Sequence, residues 1–109
     1  MTYFNYPGDI AAALRALAED FDALPPFERL PDIAVEVLIQ ACQHSGDTAE
    51  RVSAVDLLTF VTLGQDASTR AMSGGTFHHG NGGGNRYRGD GLEVAVFTVV
   101  PAPVAAVAA

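Results

Sequence analysis

Nine residues near the C-terminal end, LEVAVFTVV from Leu92 to Val100, alternate without a break. Leu92, Val94, Val96, Thr98 and Val100 fall on one side, and Glu93, Ala95, Phe97 and Val99 on the other. Successive side chains of an extended chain point to opposite faces, so this run is a strand, and a slip of one residue would exchange its two faces. One face is apolar and the other mixed, so neither is left comfortably to water. Pro101 and Pro103 end the run.

A second alternating run lies earlier. Ile33, Val35, Val37, Ile39 and Ala41 share one face, and Ala34, Glu36, Leu38, Gln40 and Cys42 the other. Two helical patterns flank it. Ile10, Leu14, Leu17, Phe21 and Leu24 recur at helical spacing behind Asp9, a capping residue type, and Pro25-Pro26 stops the helix. The spacing predicts a helix from about Asp9 to Leu24. Asp47 with Glu50 three residues on has the form of a capping box, and Gly64 has the place of a C-cap. Between them Val52, Val55, Leu57, Leu58, Phe60, Val61 and Leu63 spread over a broader apolar surface than the first helix carries. A weaker extended stretch, interrupted at Gly74 and Gly75, is expected from about Ser68 to His79.

The order is therefore α-β-α-β-β. Helices with apolar stripes need a sheet to cover. The expected fold is α+β: a two-layer sandwich in which two helices cover one face of a three-stranded sheet. The second helix would cross between the first two strands if these run parallel, and the last two strands would form a hairpin. At 109 residues the chain reads as a single domain over residues 1–100, with a flexible Ala- and Pro-rich tail over 101–109. The end of that tail, PAPVAAVAA, is similar to the Ala-rich tags read by bacterial Clp-type proteases.

Composition narrows the function. The net charge of −7, with six arginines, no lysine and thirteen acids, argues against a nucleic-acid binder, since neutralising phosphates takes clustered cations. The acidic surplus suggests a DNA mimic instead. However, Asp9, Glu19, Asp20, Asp22, Glu28, Asp32, Asp47 and Glu50 sit largely at helix starts and connectors, where capping and solubility explain them. Cys42 has no disulfide partner, the N-terminal MTYFNYPGD lacks the features of a signal peptide, and no apolar run reaches membrane-spanning length. A cytoplasmic protein that avoids membranes is expected. Tyr3, Phe4 and Tyr6 form an aromatic cluster fit to close a core or to line an interface.

The stretch GGTFHHGNGGGNRYRGDG, residues 74–91, carries most of the suggestive chemistry. Its glycines precede a strand and not a helix, and Asn85 stands where a dinucleotide fingerprint needs glycine, so it reads as a chain reversal. On a strand, His78 and His79 point to opposite faces, which disfavours their ligating one metal. No cofactor, metal ligand set or catalytic residue is assigned, and Cys42 with His44 two residues on reads as a half-buried thiol beside a turn. The candidate partner-binding residues are Arg86, Tyr87 and Arg88 in the loop, His78 and His79 beside it, and Leu38 and Phe97 on the mixed sheet face.

DIAAALRALAEDFDALP, the extended VEVLIQ, a second helix and the GGTFHHGN…YRGDGLEVAVFTVVP hairpin together resemble a group of small uncharacterised proteins of actinobacteria and their bacteriophages. The resemblance spans Asp9 to Pro101. It implies an accessory protein of a phage or prophage that binds a host or phage protein. The expected function is thus non-enzymatic protein binding through an exposed sheet face or the hairpin loop, with a second copy of the chain among the partners. The alternative is a small metal- or ligand-binding domain or enzyme using His44, His78 or His79 with Asp47.

Overall fold

In a computed structural model of the chain, residues 3–81 and 91–101 are described. The chain divides into two compact units, Met1–Asp32 and Ile33–Ala109.

The first unit holds helix α1, Pro7–Asp22. It starts two residues ahead of the expected cap. Tyr6 takes the extended N-cap conformation without a side-chain cap bond, and Asp9 lies in the first turn. Pro7 explains the shift, because its ring presets a helical φ and it has no N–H to leave unsatisfied. The carboxylate of Asp9 still lies at the positive end of the helix dipole. Chain exit follows at Ala23, just ahead of Pro25 and Pro26. No residue of α1 is buried.

The second unit contains β1 (Val35–Gln40), α2 (Thr48–Leu63), β2 (Ser68–Met72), β3 (Gly75–Asn81) and β4 (Leu92–Val100). The caps of α2 are the expected ones: the Glu50 N–H donates to Asp47 Oδ1 at 2.8 Å, and Gly64 closes the helix at φ 66°. The sheet, however, has four strands and not three. What reads as one weak strand from Ser68 to His79 is a hairpin, β2 and β3, reversed at Ser73-Gly74. Gly74 has φ 94° and Gly75 φ 148°, values that a side chain would make costly. The interruption in the pattern is thus the turn itself.

Strand order is β1-β4-β3-β2. β4 pairs in parallel with β1 and antiparallel with β3, so the β3–β4 pairing agrees with expectation. The first two strands run parallel with α2 as the crossover between them, as expected, but they are not neighbours. β1 and β2 occupy opposite edges, because the tight turn commits β2 to β3. β4, with one apolar face and apolar residues on the other as well, takes an inner position with a neighbour on each side.

Helix α2 lies over β3 and β4. Val55 and Leu63 meet Val94 and Val96 there, flanked by Val37, Ile39, Ala41, Leu58 and Ala67. One glycine allows this closeness. A Cβ on Gly80 would lie 2.1 Å from Thr59 Cγ2, so only hydrogen fits between the helix and β3 at that point.

Candidate functional site

Two polar groupings stand between α2 and the sheet. The first centres on Arg51, which is buried at the start of α2. Its guanidinium donates to the Gly46 carbonyl at 2.8 Å, to Thr98 Oγ1 at 3.2 Å, to Thr48 Oγ1 at 3.3 Å and to the Val99 carbonyl at 3.3 Å. The Thr98 hydroxyl in turn donates to the Ala41 carbonyl at 2.7 Å. One side chain thereby ties the α2 entry turn to β4 and to the end of β1. Buried polar groups are tolerable only when satisfied, and all of these bonds end on oxygen.

The second grouping joins α2 to the hairpin. His78 Nε2 lies 2.6 Å from Asp56 Oδ1, and His78 Nδ1 lies 2.8 Å from Thr69 Oγ1. A carboxylate can only accept, so Nε2 carries the proton facing Asp56. In the neutral ring Nδ1 is then an acceptor, and Thr69 donates to it. Hydroxyl, imidazole and carboxylate thus stand in the order and at the spacing that activates a nucleophile. The arrangement equally clamps β2 and β3 to the helix. Thr69 is itself exposed, on the edge strand β2.

The opposite sheet face carries Glu36, Leu38 and Gln40 from β1, Glu93, Ala95, Phe97 and Val99 from β4, and Phe77 and His79 from β3. Leu38 is 66% exposed. Phe77 and Phe97 meet edge to face with ring centroids 6.0 Å apart. His79 Nε2 is buried without a hydrogen-bond partner among the described residues. Burial of the ring holds His79 below the usual imidazole range; the charge of Arg70 adds to this, the hydrogen bond to Asn81 opposes it, and His78 adds a little more.

The two histidines therefore point to opposite faces, as strand alternation requires, and each has a different setting. His78 is engaged by Asp56 and not by Asp47, which is spent on capping α2. His44 is exposed in the turn before α2. Among the described residues no group of three His, Cys, Asp or Glu side chains stands close enough to hold a metal ion. Cys42 is a half-buried free thiol, 3.9 Å from the Gln40 carbonyl. Arg86, Tyr87 and Arg88, the RGD triplet and the tail after Pro101 lie outside the described residues. No helix among the described residues is long and apolar enough to cross a membrane.

Sequence reasoning missed three features. Thr69 and Asp56 gave no signal, since neither is near His78 in sequence. Arg51 reads as an ordinary surface cation on a helix. The outer ridge of α2 did leave a trace: Leu57, Phe60 and Val61 are all more than 60% exposed, and they account for an apolar pattern too wide for one buried face. No protein-family model, curated protein or solved structure matches the chain.

Proposed function

We infer that this chain acts by binding a protein, and that the open sheet face bearing Leu38, Phe77, Phe97 and Val99 is the contact surface. The observation carrying this reading is an apolar patch on a mixed face that α2 does not cover, with Leu38 two-thirds exposed beside the Phe77–Phe97 pair. Aromatic anchors of this kind dominate the energetics of protein interfaces. The resemblance to actinobacterial and phage proteins is the ground for placing it among phage or prophage accessory proteins, with a host or phage protein as partner. The test is capture from a bacterial lysate on immobilised wild-type chain and on a Phe97→Glu variant whose circular dichroism matches it. A protein retained by the wild type and lost by the variant supports the reading. Identical capture on both removes it.

A second reading rests on the Thr69–His78–Asp56 chain. In it, the Thr69 oxygen bonds to the carbonyl carbon of an activated ester, its proton passes to His78 Nδ1, and that proton leaves with the departing alcohol. Incubation with p-nitrophenyl acetate followed by peptide mass spectrometry checks it: an acetyl group on Thr69, absent in His78→Ala, is the expected sign. The exposed position of Thr69 favours the binding reading over this one.

A further inference from the structure

We propose that two copies of this chain pair through β1, antiparallel and about a two-fold axis at Leu38, joining their sheets into one. β1 is an edge strand. The Val35 N–H donates to the Gly91 carbonyl at 2.9 Å and the Ala41 N–H to the Phe97 carbonyl at 3.0 Å, so the odd-numbered residues of β1 are the ones bonded to β4. By the alternation of a parallel ladder, the backbone N–H and C=O groups of Glu36, Leu38 and Gln40 point to the free edge. The strand carries little edge defence of its own: β1, VEVLIQ, has no lysine, no proline and no bulge, and its single charge is Glu36. The other edge, β2, is a residue shorter and carries Arg70.

A second copy is the occupant because the strand is complementary to itself in one register. With Leu38 opposite its own symmetry mate, Glu36 falls opposite Gln40 of the other copy, and the three outward residues meet as three hydrogen-bonded pairs. An antiparallel pair of that type exchanges two bonds, giving six in all. The Gln40 amide can donate to the Glu36 carboxylate, which is otherwise aligned beside the like charge of Glu93. Moving the axis to Glu36 would set two carboxylates face to face.

The pairing also accounts for an oddity on the other face. Helix α2 lies over β3 and β4, and Val37 and Ile39 of β1 remain only half-buried. In the paired register Val37 of each copy stands opposite Ile39 of the other, in the non-hydrogen-bonded positions where side chains approach most closely. Both faces of β1 thereby gain apolar cover, and the contact patch is the same on each copy, as a two-fold interface demands.

The test is sedimentation equilibrium of the full chain. The wild type is expected at twice the 11.4 kDa chain mass. Leu38→Pro removes an N–H that faces the free edge and not β4, so it should leave a folded monomer. Gln40→Glu should weaken the dimer about tenfold by opposing carboxylates at both ends, and Gln40→Lys should tighten it by a similar factor. A monomeric wild type overturns the proposal, as does a dimer whose affinity ignores both substitutions at Gln40. Should Leu38→Pro fail to fold, the opposite responses of the two Gln40 variants still decide. Phe97→Glu lies off the edge and should leave the dimer intact, so loss of partner capture and loss of dimer are read separately.

Discussion

Helices α1 and α2 are both sixteen residues long, and the one that looks better suited to packing is the one that buries nothing. In α1 the apolar residues form a regular stripe, yet Leu14, Leu17 and Phe21 are all exposed. α2 has its apolar residues scattered around the helix, and it buries a line of four at successive turns: Arg51, Val55, Thr59 and Leu63. Two of those four are polar. Leu57, Phe60 and Val61, which a hydrophobicity pattern would place inside, face outward. A stripe says that a helix can pack. Which residues it buries depends on what the opposing surface offers: here a glycine at position 80 that admits Thr59 and a threonine at position 98 that receives Arg51.

The contrast can be broken most directly at the arginines. Arg51→Ala should lower the unfolding free energy by about 3 kcal/mol, because the loss of the guanidinium strands several acceptors beneath α2. Arg15→Ala, on the exposed surface of α1, should change it by less than about 0.5 kcal/mol. Urea denaturation of both variants measures the difference, and equal effects would mean that the Arg51 network contributes nothing.

Glycine substitutions give a smaller effect that differs in sign. Gly80→Ala forces a methyl group against the buried Thr59 and should cost about 2 kcal/mol. Gly8→Ala, in the first turn of α1 with nothing within 4 Å of the added carbon, should stabilise by up to about 0.5 kcal/mol. Thermal melts of the two variants should move in opposite directions.

Acidification gives the smallest expected effect and acts on the sheet-bearing unit. Burial in the folded state holds His79 below the ordinary imidazole value of about 6.5, so the unfolded chain takes up the proton first as pH falls. The contribution of His79 to stability is therefore complete above that value and declines below it. Between about pH 7.5 and about pH 5.5 the wild-type melting temperature should fall further than that of His79→Gln. Parallel pH profiles would show that His79 plays no part.

Legibility from the sequence followed the range of the interactions involved. The limits of β4, the Asp47 cap and the Gly64 stop of α2 rest on neighbours within a few residues, and they appear where the pattern puts them. The hairpin at Ser73-Gly74 was present as a pair of glycines, but a weak strand with a defect and two short strands with a turn differ only in whether the chain reverses, which long-range pairing settles. The Thr69–His78–Asp56 chain was wholly illegible. It joins residues nine and twenty-two positions apart, through a register that exists only once β2, β3 and α2 have come together.

By itself the sequence determined the class of the elements, the alternation that sends His78 and His79 to opposite faces, and the acidic balance of the chain. Those properties follow from backbone geometry and from charge, which each residue carries with it into any fold. Only the tertiary structure decided that β1 pairs with β4 and becomes an edge, that Arg51 is sealed beneath its helix, and that one face of the sheet lies beyond the reach of α2. These depend on which surfaces meet, and packing selects among partners that local preference leaves nearly equal.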